Sequence, residues 1–282
     1  MPESEEMDEM SFWDHLDALR WTLMRSVVAL ILLAILFYSF MPFLFDHVIL
    51  APCRGDFILY EWIRMLGAQL PFFPDFGNES YEVKIVNITL ASQFFIHIST
   101  SFSFAVVAAF PYLIFEVWRF ISPALYETEK KKARWVLVFA TVMFFCGLAL
   151  GYFMIFPMTL RFLADYNLSS YIVNQVSLDS YMDNFLMLIF AMGIVFELPL
   201  VSWFLSQIGL VRKSFFRKYR RHAFVVCFIV AAVITPSGDP FTMTAVALPL
   251  YMLYEMSIFL VKADKPVEEE EEETALTHTE DK

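Results

Sequence analysis

The sequence predicts an all-α, polytopic integral membrane protein with six transmembrane helices, both termini cytoplasmic and the last two helices short. Three observations predict it. Of 282 residues, 59% are hydrophobic, more apolar surface than a soluble domain of this size needs. Charge is segregated, with long uncharged stretches separated by short ones that hold most of the Lys and Arg, as in chains that cross a bilayer several times. Those basic clusters fall on alternate connections, which sets a single orientation. The net charge of -11 comes largely from two acidic tails, through Glu3, Glu5, Glu6, Asp8 and Glu9 at one end and Glu268 to Glu273 at the other. The organisation expected is a cytoplasmic N-terminal segment over 1–21, a membrane domain over 22–261 and an acidic, disordered tail over 262–282.

The apolar segments run over 22–42, 92–118, 135–157, 184–206, 223–235 and 241–261. The first four are long enough to cross a hydrocarbon core of about 30 Å at about 1.5 Å per residue. The fifth is not, because only about a dozen residues separate His222 from Pro236, roughly 20 Å of helix. The run Thr235-Pro236-Ser237-Gly238-Asp239-Pro240 is a dense turn signal. A short hairpin that thins the bilayer is therefore expected from the last two segments. The first segment is read as a span rather than a cleaved signal peptide, since acidic residues precede it and no small-residue cleavage site follows.

Orientation follows from the basic residues. Arg20 and Arg25 lie by the start of the first span; Arg119, Lys130, Lys131, Lys132 and Arg134 follow the second. Arg212, Lys213, Arg217, Lys218, Arg220 and Arg221 follow the fourth, and Lys262 and Lys265 the sixth. The opposite side holds Arg54, Arg64, Lys84 and Arg161 over longer loops. Both termini are thus expected in the cytoplasm. The long first outer loop, about 43–91, has an aromatic stretch (Phe57, Tyr60, Trp62, Phe72, Phe73) that reads either as an amphipathic cap at the interface or as a packed loop. The alternation Tyr81-Glu82-Val83-Lys84-Ile85-Val86-Asn87-Ile88 in the same loop suggests a short strand or an extended segment.

The sequence gives no support to catalysis. There is no CxxC, HExxH, P-loop or GxSxG pattern, so metal, nucleotide and acyl-transfer chemistry lack a motif, and no cofactor is expected. Cys146 and Cys227 read as core thiols and Cys53 as a lone loop cysteine. Interest falls instead on the polar residues inside the spans. Glu197, beside Pro199 in the fourth span, is expected to be neutral, paired or facing water, with Pro199 bending the helix. Glu116 has Arg119 at i+3, a ready helix-surface pair. Glu255 has no evident partner, and Asp239 reads as a turn former. Ser99, Thr100, Ser101 and Ser103 either bind helices together or line a wet groove, and sequence does not separate the two.

Residues 115–134, FEVWRFISPALYETEKKKAR, form a polar hinge between the second and third spans. Ser122-Pro123 is a helix start. Thr128 can cap the third span, which puts Glu129 in its first turn against the positive end of the helix dipole. That placement alone accounts for Glu129 structurally. A carboxylate held there beside Phe120 and Tyr126 can equally receive a guanidinium group, bidentately and with aromatic stacking.

Six motifs in order carry a family resemblance: Phe12-Trp13-Asp14-His15-Leu16-Asp17-Ala18-Leu19-Arg20; Ala51-Pro52; the hinge from Phe115 to Glu129; Gly151-Tyr152-Phe153 with Phe156-Pro157; Phe196-Glu197-Leu198-Pro199; and Thr235-Pro236-Ser237-Gly238-Asp239. From Ser11 to about Val261 the chain resembles TatC, the multispanning receptor family of the twin-arginine protein translocase. The resemblance implies a non-enzymatic receptor that binds twin-arginine signal peptides and recruits single-span subunits of the TatA/TatB type. It would act in a multimeric complex in the lipid bilayer that moves folded cargo at the expense of the proton gradient, with no nucleic acid involved. By the same resemblance, Phe120 and Glu129 bind the signal peptide, with Leu19 and Arg20 at the N-terminal end. Glu197 faces an intramembrane groove with Tyr152, Thr235 and Pro111, and Pro52 and Asp239 shape the outer loops.

The chain also departs from the family. Ala18 stands where a Glu is usual, leaving Asp17 or Asp14 as substitutes; Thr22 replaces a common Arg, and Met243 a common Gln. The first outer loop is longer than usual, and its residues 54–80 have no reading from the family. A proton-coupled small-solute transporter using Glu197 is the alternative, weakened by the lack of any internal repeat.

Overall fold

The computed structural model describes residues 12–67, 82–121, 127–169, 171, 174–207, 209–235 and 238–261. The Ser122-Pro123 helix start, Tyr126, Phe72, Phe73, Tyr81, the Pro236-Ser237 part of the outer turn, Lys262, Lys265 and both acidic tails lie outside the described residues.

Backbone contacts divide the chain into two compact units, Met1–Phe145 with Leu160–Leu186, and Cys146–Thr159 with Met187–Lys282. The first unit is organised by α1 (Phe12–Leu44) and α3 (Ser92–Ile121). The two run antiparallel and are pinned along their length. Arg25 meets Glu116, the rings of Phe37 and Phe104 lie 5.9 Å apart, and Tyr38 stacks on His97 at 4.0 Å. The His97 ring also donates from Nε2 to the Tyr38 carbonyl at 2.9 Å. α1 turns its remaining faces outward, with Leu23, Val28, Leu32 and Ile35 more than half exposed, as expected of a helix solvated by lipid.

Beyond α1 the chain widens into a π turn (Phe45–Ile49), tightens into a 3-10 turn (Ala51–Cys53) and enters α2 (Ile58–Gly67). The alternating segment does form a strand: β1 (Ile85–Val86) pairs in parallel with β2 (Val176–Ser177), and Glu82 bridges Arg54. Side chains tie this cap together. Tyr181 donates to the Ile49 carbonyl, Tyr60 to the Pro52 carbonyl at 3.0 Å, and Ser92 to the Asp179 carboxylate at 2.7 Å. The buried Arg161 lies 5.3 Å over the Tyr60 ring, a cation–π contact in a site closed to water. Cys53 is a free cysteine in the 3-10 turn of this connection and is buried in the cap, where its carbonyl accepts from the Val83 amide at 3.0 Å.

The third apolar segment is one continuous helical stretch, α4 (Glu127–Leu150), a π turn (Gly151–Ile155) and α5 (Phe156–Asp165). The fourth is α6 (Leu178–Val195) followed by α7 (Leu198–Gln207). Within the second unit, Gly147 and Gly151 let α4 and the π turn meet α6 at backbone distance. A Cβ on Gly147 would lie 2.4 Å from the Met192 carbonyl oxygen, and one on Gly151 3.1 Å from the Ile189 Cα. This is the small-xxx-small packing that membrane helices use where burial supplies little drive. Cys146 is exposed and Cys227 buried, so of the two expected core thiols only Cys227 is one; Cys146 precedes Gly147, which itself faces α6.

The second unit is completed by α8 (Lys213–Lys218), α9 (Arg220–Ile234) and α10 (Pro240–Leu260). By length and composition, five described segments can cross a membrane: Leu16–Cys53, Ser92–Phe120, Val136–Asp165, Leu178–Gln207 and Pro240–Leu260. α9 has 15 residues, about 22 Å, and is the short member of the last pair. α10 is not short. Its 21 residues extend about 31 Å, because Asp239 caps it as soon as the turn ends: the carboxylate accepts from the Thr242 amide at 2.7 Å. Gly238 supplies the left-handed step in that turn, at φ 59°.

Candidate functional site: one end of the first unit and a helix break in the second

The hinge residues are positioned by the α1–α3 pair. Arg25 grips the Glu116 carboxylate with Nε at 3.1 and 3.2 Å and Nη2 at 2.9 Å. Tyr112 donates to the same carboxylate at 2.8 Å, and Arg25 Nη2 also donates to Thr22 Oγ1 at 3.3 Å. Glu116 is only 2% exposed. The pairing expected between Glu116 and Arg119 is therefore corrected. Arg119 is an exposed side chain, whereas Arg25 approaches from the neighbouring helix and meets the carboxylate face on.

Carrying the antiparallel register outward from Arg25–Glu116, one residue for one, puts Phe120 level with Trp21, within a turn of Leu19. Phe120 is half-buried in the last turn of α3, and Leu19 is exposed. Thr22, which is buried, marks the side of α1 that faces α3. At about 100° per residue, Leu19 lies about 60° from Thr22, while Asp17 and Arg20 lie about 140° and 160° away. The fold thus brings Leu19 and Phe120 to one side, and leaves Asp17 and Arg20 exposed on other faces of α1. Glu129 is in the first turn of α4, which begins at Glu127, one residue before Thr128. Only residues 122–126 separate α3 from α4, and the Phe110 and Phe144 rings stack at 3.6 Å, so Glu129 is at the same end as Phe120. Its side chain lies outside the described residues. Pro111 sits inside α3, half-buried, where it removes one backbone hydrogen bond.

In the second unit Glu197 occupies the break between α6 and α7. Pro199 has no N–H to continue the ladder, and the chain crosses the break through Glu197 N to the Ile194 carbonyl at 3.0 Å and Val201 N to the Glu197 carbonyl at 2.9 Å. Both carboxylate oxygens of Glu197 are buried with no hydrogen-bond partner among the described residues. Tyr152 lies in the π turn, half-buried, with its ring 4.8 Å from that of Phe153. The Gly147–Met192 and Gly151–Ile189 register sets it roughly 14 Å from Glu197 along the helices. Thr235 ends α9, buried, its hydroxyl likewise unpartnered among the described residues. Pro52 is buried in the cap of the first unit.

Two features escaped sequence reading. Glu255, for which no partner was evident, takes Arg220 at 2.5 Å and the Tyr251 hydroxyl at 3.0 Å. It repeats the arrangement at Glu116: a Tyr four residues before the Glu on its own helix, and an Arg from a neighbouring helix. The Gly147-x-x-x-Gly151 spacing was visible in the sequence, but its partner helix was not.

Comparison with known proteins gives a consistent result. The sequence model of one family, "Sec-independent protein translocase protein (TatC)", matches residues 14–249. The chain is 35% identical to the TatC protein of Blattabacterium sp. subsp. Periplaneta americana, over 90% of this chain and 96% of that one. It is 34% identical to that of Desulforapulum autotrophicum, over 96% and 92%. A crystal structure described as the twin arginine translocase receptor TatC superimposes with a TM-score of 0.65 at 29% identity, covering 87% of this chain and 97% of that one. A second, in DDM, gives 0.66 at 30% identity, covering 88% and 99%.

Proposed function

The chain belongs to the TatC family of Sec-independent protein translocase proteins, and from that premise we propose that the end of its first unit carrying Leu19, Phe120 and Glu129 receives the twin-arginine signal peptide. The protein is a multi-pass bacterial membrane protein of the translocase, not an enzyme. One observation carries the proposal: the antiparallel α1–α3 pair, locked by Arg25 and Glu116, presents Leu19 and Phe120 at the end where α4 begins with Glu129 in its first turn.

In this reading the Glu129 carboxylate accepts a guanidinium fork of the signal, a planar match that an ammonium does not make, and Phe120 supplies an aromatic face. Leu19 offers apolar contact. Arg20 and Asp17, on other faces of α1, act at the rim of the site rather than at its centre. The basic loops favour a cytoplasmic position for this end and for both termini. Single-span TatA/TatB-type subunits are the proposed partners of the second unit, with Glu197, unpartnered among the described residues, as the polar contact inside the membrane. Tyr152 and Thr235 belong to the same unit and Pro111 bends α3 in the first; Pro52 and Asp239 hold the outer turns. Translocation of folded cargo then draws on the proton motive force. Membership of a translocase family favours this role for Glu197 over that of a small-solute carrier.

The test is photo-crosslinking from position 129 of the reconstituted protein to a signal peptide carrying Arg-Arg or Lys-Lys. The Arg-Arg peptide should crosslink strongly and the Lys-Lys peptide weakly. Equal yields would refute Glu129 as the guanidinium acceptor.

A further inference from the structure

α2 lies within the stretch of the first outer loop that the family pattern leaves unread, and it has two unlike faces. Tyr60, with Phe57 just before the helix, is buried and ties α2 to the end of the first span through the Tyr60 hydroxyl and the Pro52 carbonyl. On the other face Ile58, Trp62 and Met65 are 48%, 64% and 67% exposed. At 3.6 residues per turn these three fall within an arc of about 60°, nearly opposite Tyr60. Glu61, half-buried, borders this arc. The apolar stretch that holds the first span runs to Cys53, and α2 starts five residues later, so α2 follows directly on the outer end of that stretch. The exposed Phe40 and Phe43 of α1 face lipid about three to four turns below Cys53, and the exposed Phe94 and Phe95 at the start of α3 carry the apolar exterior up to the level of the π turn. Exposed Asp46 and His47 lie between Phe43 and α2, so the Ile58–Trp62–Met65 arc forms a separate apolar band beyond the outer end of the first span, the arrangement of an interfacial helix.

We propose that α2 is an interfacial helix lying on the bilayer surface, with Ile58, Trp62 and Met65 seated at the headgroup–acyl boundary and the occupant of this face being lipid. In the orientation proposed above this is the outer leaflet. Tryptophan suits that depth, since its ring is apolar and its indole N–H reaches the wet headgroup layer. A helix with one apolar arc and a packed opposite face, fixed beside a span, lies in the plane of the interface. The extra loop residues then anchor the end of α1 to the membrane surface, where α1 otherwise packs against α3.

The experiment reconstitutes the full-length protein alone into vesicles of phosphatidylcholine, unlabelled or brominated at shallow or deep acyl positions. The emission of Trp62 is isolated as the difference between wild type and Trp62→Phe, since the chain has six Trp. Trp62 should lose most of its emission in the shallow-brominated lipid, less in the deep-brominated lipid, and little to aqueous acrylamide. Met65→Trp in the Trp62→Phe background moves the reporter along the same arc and should behave alike, which guards against a local defect in either variant. Full quenching by acrylamide with no response to brominated lipid would overturn the proposal. So would shielding that arises only when partner subunits are added, which would make the occupant a protein.

Discussion

Arg25 of α1 holds Glu116 of α3 through two nitrogens, Nε and Nη2, with the closest contact at 2.9 Å. The acid is 2% exposed and the arginine about a third exposed. This contact fixes two helices whose ends carry Leu19 and Phe120. Removing one partner strands the other at low dielectric, which costs more than the intact pair contributes. Glu116→Ala should therefore lower stability by about 2 kcal/mol, at the low end for buried pairs because Arg25 keeps contact with water. The check is the thermal midpoint in detergent, and Arg25→Glu combined with Glu116→Arg should recover more than half of the loss. If the double exchange is as damaged as the sum of its parts, the pair does not act as a unit.

Gly147 and Gly151 predict a ranking. Alanine at 147 drives a methyl into the Met192 carbonyl at 2.4 Å and against Phe196 at 2.8 Å, whereas alanine at 151 meets Ile189 Cα at 3.1 Å. A backbone obstacle cannot rotate away, so Gly147→Ala should cost about 2–3 kcal/mol and Gly151→Ala about 1 kcal/mol or less. Thermal unfolding of the two purified variants decides this, and equal midpoints would contradict the close approach at Gly147.

Asp239 predicts a smaller and chemically selective effect. Its carboxylate caps α10 through the Thr242 amide at 2.7 Å. Asp239→Ala should cost about 1 kcal/mol, while Asp239→Asn and Asp239→Ser, which keep an acceptor, should lose a few tenths. Similar losses for all three, read from thermal midpoints, would mean that Asp239 acts through something other than the cap.

These cases also show what could be read from the sequence and what could not. The long spans, the loop strand and the Glu197–Pro199 break were legible because hydropathy, alternation and proline are local signals. The partner of Glu116 was not. Arg119 is three residues away, while Arg25 is 91 residues away in sequence, and only the packing of α1 on α3 makes the distant one closer. Cys146 and Cys227 were read alike because both lie in apolar runs. In a bilayer an apolar run is equally suited to lipid and to a helix neighbour, so hydropathy cannot say which faces outward. At the candidate site the sequence named Phe120, Glu129, Leu19, Arg20 and Asp17 together. It took the helical angle around Thr22 to separate Leu19 from Asp17 and Arg20.

Glu197 yields the last prediction, in which stability and function move in opposite directions. A carboxyl group buried at a helix break, with both oxygens unpartnered among the described residues, loses its hydration without a compensating hydrogen bond from them. Glu197→Leu removes that cost at similar volume, so it should raise the thermal midpoint of the isolated protein or leave it unchanged. Glu197→Gln keeps the cost and should be close to neutral. If the side chain is kept for a partner subunit, Glu197→Leu should at the same time weaken co-purification of single-span subunits and the export of folded cargo, with Glu197→Gln intermediate. A variant that is both less stable and less active would place Glu197 in the architecture of the α6–α7 break instead, and would remove the reason to assign it an intermolecular contact.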